Sequence, residues 1–188
     1  MAMAGKVQKM KVKKKTAPAA KPKSGPVPTA APYWLMKSEP DVFSWEMLVA
    51  RGAKGEPWTG VRNYLARNHM RAMKLGDLGF FYHSNIGKEI VGVLQVVKTA
   101  YPEPTDTTGT WECVDVVAVQ PLPNPITLAA VKADGKLAKM ALVTSMRLSV
   151  QPVTVHEWAH VCELGGLDPK SLKGKPASKA EAVEKNRA

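Results

Sequence analysis

Five residues towards the C-terminal end of the chain, His156-Glu157-Trp158-Ala159-His160, have the H-E-x-x-H spacing. In that pattern two histidines one helical turn apart bind zinc and the glutamate activates a water molecule. A zinc-dependent hydrolase is therefore one chemistry to weigh, and three features count against it. Thr154 and Glu157 have the spacing of a capping box, which gives the glutamate a structural task. No histidine follows at a third-ligand distance; Glu163 is too close, and Glu181 and Glu184 lie in a basic tail. The helix would also be the last element of the fold, with little chain left to build a cleft against it. His83 with Ser84, and His160 with Cys162, are nucleophile and base by type, but neither pair has a third, orienting group in view. Hydrogen-bonded structural histidines are the simpler expectation. No catalytic residue, metal site or cofactor is expected.

Four other segments carry chemistry of a different kind: Trp34 to Pro40, Trp58 to Tyr64, Phe81 to Ser84 and Arg147 to Pro152. Each sets polar side chains beside aromatic or apolar ones at a strand end or a helix start, where side chains and free backbone N–H groups can converge on one small ligand. The plainer alternative is that the aromatics are core and the polar groups cap.

The elements that must position these segments follow from the apolar pattern. Tyr33 to Lys37 reads as a strand ended by Ser38-Glu39-Pro40, because the residue before proline leaves helical space and proline cannot donate to a ladder. Ser44 to Arg51 reads as a helix stopped by Gly52, residues 55–60 as an irregular loop, and Val61 to Lys74 as a helix closed by Gly76. In that second helix Val61, Leu65 and Ala72 would face inward, with Arg67, Arg71 and Lys74 forming a basic stripe outside. Leu78 to His83, Glu89 to Thr99 and Thr110 to Leu122 are rich in β-branched and aromatic residues and read as consecutive antiparallel strands. Helical pieces at Leu128 to Ala133 and Leu137 to Leu142, a strand at Arg147 to Val153 and a helix from Thr154 to Gly165-Gly166 complete the chain. Connections this short disfavour parallel crossovers, so the pattern predicts a small mixed β-barrel or curled sheet with helices packed on it.

Charge is partitioned sharply. The chain has 188 residues and a net charge of +11. Residues 1–32 hold eight lysines and no acid; residues 168–188 hold six basic and three acidic residues; the intervening part holds thirteen of each and is neutral. The tails can thus supply salt-sensitive attraction to phosphates, while specificity must come from the domain. Their Lys, Ala and Pro content cannot bury enough apolar surface to offset ordering entropy, so both are expected to be disordered. With no signal peptide, membrane span or paired cysteine spacing, the reading is of an intracellular, soluble protein whose Cys113 and Cys162 are buried thiols.

Six segments together resemble the EVE domain family: YWLMKSEP at 33–40, WTGVRNYLAR at 58–67, GDLGFFYHS at 76–84, IVG at 90–92, VDV at 114–116 and RLSVQPV at 147–153. The resemblance runs from Tyr33 to about Leu167. It implies an α+β, single-domain, PUA-like fold, a small mixed β-barrel with flanking helices, akin to the YTH domains that hold a methylated adenine in an aromatic cage. It also implies a reader of modified bases, including modified cytosines in DNA. By position, Trp58 would be a cage aromatic, Lys37 and Ser38 the strand end whose backbone reads the base edge, and Asn63 an amide partner to that edge. Tyr82, His83 and Ser84 would form the opposite wall, with Ser149 and Gln151 as floor. Arg62, Arg67, Arg71, Lys74 and Arg147 are candidates for the nucleic-acid backbone, Arg62 and Arg147 equally for ion pairs. The expectation is a monomeric, non-catalytic module on modified DNA or RNA, cytoplasmic and nucleoid-associated in a bacterium or nuclear in a eukaryote. The alternatives are an RNA-binding module in RNA maturation and the zinc hydrolase.

Overall fold

The run Leu78-Gly79-Phe80-Phe81-Tyr82 is apolar or aromatic at every position, the pattern of a strand covered on both faces, and His83 follows it. In the computed structural model, which describes residues 33–172, it is a fully buried strand near the middle of a six-stranded sheet. The elements in chain order are β1 (Tyr33–Ser38), α1 (Trp45–Arg51), β2 (Glu56–Pro57), α2 (Tyr64–Ala72), β3 (Leu78–His83), β4 (Glu89–Pro102), β5 (Glu112–Thr127), α3 (Leu128–Ala133), α4 (Ala141–Thr144), β6 (Val150–Val153) and α5 (Val155–Leu164). Strand order across the sheet is β2-β5-β4-β3-β1-β6. The expected α+β, PUA-like architecture of a mixed sheet with flanking helices is what these elements build.

β3, β4 and β5 are consecutive antiparallel strands, as their turn-linked patterns predict. β1 lies parallel to β3, with Ser38 opposite His83, so the expectation against parallel crossovers is corrected. The connection over residues 39–77 is long enough to carry α1, β2 and α2 across one face of the sheet, which is what a parallel return needs.

Side-chain alternation divides the core in two. Leu35, Phe80 and Tyr82 face a layer closed by α5 and the 131–142 segment, through Trp158, Val161, Val131 and Leu137. Trp34, Met36 and Phe81 face a second layer closed by α1, α2 and the loop after β2, through Trp45, Leu48, Ala66, Met70 and Trp58. Leu172, five positions past the expected end of the domain, is buried in the first layer. The remainder of that tail, and residues 1–32, lie outside the described residues.

Local signals set most boundaries. Asn63 caps α2, its Oδ1 accepting from the N–H groups of Leu65 and Ala66 at 2.9 and 3.1 Å, so the helix begins three residues later than the apolar spacing suggests. That shift turns Leu65 outward and brings Ala66, His69 and Met70 inward. Glycine is required at Gly92, where an added Cβ would lie 2.5–2.6 Å from ring atoms of Trp45. The bare backbone of β4 is the surface on which α1 docks its indole.

Candidate functional site

At the end of β1 the chain turns sharply. The N–H groups of Val42 and Phe43 both donate to the Glu39 carbonyl, and Ser38 Oγ donates to the Phe43 carbonyl at 2.8 Å. The turn delivers Phe43 and then α1, including Met47 and Arg51, beside the strand end. From the other side β2 pairs with β5, and the Trp58 N–H donates to the Val114 carbonyl at 2.8 Å. Between them lies a hollow of about 290 Å³, walled by Lys37, Ser38, Phe43, Met47, Trp58 and Thr59 among others. The indole of Trp58 stands edge-on to Phe81 (5.4 Å, 81°) and Phe43 (6.3 Å, 88°), with only 6% of the residue exposed. Its orientation is held by core packing, and a margin of it is left to the hollow.

Of the residues expected at a pocket, Trp58 and Ser38 meet there, and Lys37 borders it while its side chain turns to the face of Tyr82, the ammonium lying 5.8 Å from the centre of that ring. The backbone at the strand end is largely committed: the Lys37 N–H donates to the Ser149 carbonyl, and the Ser38 carbonyl accepts from the Ser84 N–H. The free polar capacity beside the indole therefore includes the acceptor side of the Ser38 hydroxyl and the hydroxyl of Thr59. Asn63 does not join them; it borders a second hollow, of about 430 Å³, together with Arg147. Tyr82 and Gln151 lie on the opposite face of the sheet, in register with Lys37 and Leu35 respectively. Gln151 is fully buried, its Nε2 donating to the carbonyls of Ser145 and Leu148. The expected wall and floor are corrected accordingly: along β3 it is Phe81 and His83 that share the Trp58 side, because neighbouring strand residues point opposite ways. Ser84 and Ser149 contribute the backbone hydrogen bonds just named.

Phe43 and Met47 as lining residues escaped the sequence reading, whereas Thr59 lay within the Trp58 to Tyr64 segment without being named as a pocket residue. The faint signal for Met47 was an apolar residue on the outer face of α1, 42% exposed.

A scan of family models matches residues 32–164 to the EVE domain. The chain belongs to the EVE domain family. Human thymocyte nuclear protein 1 is 38% identical, over 73% of this chain and 75% of its own length. Among solved structures, a protein from Agrobacterium tumefaciens is 55% identical with a TM-score of 0.70, covering 77% of this chain and 97% of that one. Human THYN1 protein in complex with 5-methylcytosine containing DNA is 39% identical with a TM-score of 0.66, covering 73% of this chain and 99% of that one.

Around this EVE domain's hollow the basic residues fall into two groups. Arg62 makes a paired contact with Glu103, both N–O distances 2.8 Å, and Glu103 also accepts from Thr105 and the Gly60 N–H. These donors, the guanidinium first, hold the Glu103 carboxyl below its ordinary range. Arg71 pairs with Glu112 at 2.6 and 2.8 Å, and Arg67 donates to the Thr110 carbonyl at 2.7 Å while lying over the Tyr64 ring. The expected basic stripe is thus mostly engaged with the 103–112 segment, by contacts some forty residues apart that no local spacing announces. Lys74 and Arg147 are exposed. Burial pushes the Lys37 ammonium down to about 8, and its Nζ donates to the Met146 carbonyl at 3.0 Å.

In the H-E-x-x-H segment the capping box forms as its spacing predicts: Glu157 accepts from the Thr154 N–H at 2.8 Å and Thr154 Oγ1 accepts from the Glu157 N–H. His156 is exposed, and His160 is bonded to Asp134 at 2.7 Å. Among the described residues no group of three or more His, Cys, Asp or Glu side chains is placed to hold a metal ion. Within the same residues no helix is long and apolar enough to cross a membrane. Cys113 and Cys162 are both buried and unpaired.

His83 gives the domain a pH dependence. Its Nε2 accepts from the Trp45 N–H at 3.1 Å, which requires an unprotonated nitrogen. Burial lowers its pKa, against smaller opposing pulls from Glu46 and Glu89. The unfolded chain therefore binds a proton that the folded chain resists, and this part of the stability is present above the ordinary value of 6.5 and lost as pH falls below it. Urea midpoints at pH of about 7.5 and about 5.5 should fall further for the wild type than for His83→Gln; equal falls would remove His83 as the cause.

Proposed function

We propose that this domain is a non-catalytic reader of a modified base in a nucleic acid, seated in the hollow beside Trp58. The observation that carries the reading is a packed, orientation-fixed indole bordering a hollow of about 290 Å³ next to a serine hydroxyl. That volume is near the lower end of the roughly 300–1,000 Å³ range of small-molecule sites, suited to a single flat heterocycle. The apolar side chains of Phe43 and Met47 offer a place for a methyl substituent. The 39%-identical human protein in complex with 5-methylcytosine containing DNA supports the same ligand class.

Magnitudes decide how such a module must work. Stacking contributes on the order of 1–3 kcal/mol and a methyl group in an apolar slot about 1–3 kcal/mol, while extruding a base from a duplex costs about a few kcal/mol. The balance is small, so phosphate contacts must supply much of the affinity. The eight lysines of residues 1–32, with Lys74 and Arg147, are assigned that role; Arg62, Arg67 and Arg71 are assigned chiefly to holding the 103–112 segment. The module acts as a monomer wherever its polymer lies, at a bacterial nucleoid or in a eukaryotic nucleus.

Titrating the full chain with paired oligonucleotides that differ only in one methylated base tests the proposal. A preference that persists as salt is raised is expected. Equal binding to both, abolished by salt, would leave only a nonspecific polyanion binder.

A further inference from the structure

The larger hollow, about 430 Å³, lies between the start of α2 and the 143–148 segment and has no part in the base-reading geometry above. Its lining combines the apolar surfaces of Leu65 and Met146, 47% and 61% exposed, with Asn63, Ser145 and Arg147. It contains a cation and no carboxylate. Of the arginines among the described residues, Arg51, Arg62 and Arg71 are paired with glutamates and Arg67 is bound to a carbonyl. Arg147 alone is exposed with its guanidinium unengaged. Asn63, which lines the hollow, spends its Oδ1 on capping α2 and keeps its amide N–H groups uncommitted.

The two hollows are neighbours through one residue. Lys37 lines the Trp58 hollow, and its Nζ donates to the carbonyl of Met146, which lines the other. Asn63 is likewise only five positions along the chain from Trp58. A strand with one base in the first hollow would have its next residue beside a free guanidinium, a free amide and two exposed apolar side chains. Those groups match a phosphate, a base or sugar edge, and an apolar ring face respectively.

We propose that the hollow between α2 and residues 143–148 seats the nucleotide adjoining the read base in the same strand, with Arg147 on its phosphate. The assignment rests on the base-reader proposal and extends it from one base to a dinucleotide step. It makes the module a reader of a base within a strand rather than of a free nucleoside.

The test uses the full chain with two probes, free 5-methyl-2′-deoxycytidine and a short single-stranded oligonucleotide carrying one 5-methylcytosine. The variants are Arg147→Ala and Ser145→Trp, the second filling the hollow from an exposed position without touching charge; retained near-ultraviolet circular dichroism shows that each is folded. Both variants should bind the nucleoside like wild type and the oligonucleotide about tenfold more weakly, and Arg147→Ala should reduce the salt slope by about one. Undiminished oligonucleotide binding in both variants, with the nucleoside still bound, overturns the adjoining-nucleotide site and leaves the base reader standing. If the wild type prefers neither methylated probe over its unmethylated form, the base reader itself fails and this site fails with it.

Discussion

Replacing Trp158 by alanine lowers the free energy of unfolding by about 3–5 kcal/mol, the usual cost of removing a buried indole. Trp158 is 1% exposed and is sandwiched between Tyr33, at 4.2 Å and 4°, and Phe80, at 4.3 Å and 24°. It thereby ties α5 to the start of β1 and to β3. Native domains hold only about 5–15 kcal/mol in all, so this one change removes a large share. A counter-term makes the prediction sharper. The Trp158 Nε1 is buried without a hydrogen-bond partner, a penalty of about 1–3 kcal/mol that the wild type already bears. Trp158→Phe removes that penalty while keeping a ring between Tyr33 and Phe80, and should cost much less than alanine. Denaturant midpoints at unchanged slope measure both, and equal losses for the two variants would contradict the argument. Base binding by the folded fraction should be intact, because Trp158 belongs to the layer on the far side of the sheet from Trp58.

Trp58→Leu produces the complementary phenotype. Leucine keeps apolar volume against Phe81 and Phe43 but offers no flat face to a base. Loss of about 1–3 kcal/mol of stacking corresponds to roughly a tenfold to hundredfold weaker binding of the methylated oligonucleotide. The unmethylated oligonucleotide, held mainly through phosphates, should weaken less, so selectivity collapses along with affinity. Two edge-to-face contacts are lost as well, at about 0.5–1.5 kcal/mol each, so stability must be measured in parallel. Trp58→Phe should recover part of the selectivity by restoring a ring. A leucine variant that stayed folded and still discriminated the methylated base would show that the read base sits elsewhere.

The contrast between these two tryptophans shows how far residue patterns carry. Trp158 sits inside the H-E-x-x-H segment, whose spacing invites a metal, yet the helix turns the tryptophan rather than the histidines into the core. The capping role of Glu157 was readable because Thr154 and Glu157 are three residues apart and answer only to local geometry. The same holds for β1, whose Trp34, Leu35 and Met36 are buried in succession, and for β3, buried along its whole length. The polar and aromatic segment that Trp58 opens marked it as a candidate for ligand contact; its place as a cage aromatic came only through the family resemblance.

Periodicity and capping, acting over a few residues, were enough to place most of the elements, though β2 was read as loop and α4 and β6 begin later than their patterns suggest; the residue count gave the neutral charge of the domain, and six motifs together gave its resemblance to a family. They could not determine which elements meet. That β1 runs parallel to β3, that Tyr82 and Gln151 face away from Trp58, that Asn63 borders a separate hollow, and that Arg62 and Arg71 are held by Glu103 and Glu112 are all consequences of the tertiary structure. Each depends on partners some forty or more residues distant, or on which of two equally apolar faces a strand turns to a given layer. Such choices are made by the packing of the whole sheet between its two cores.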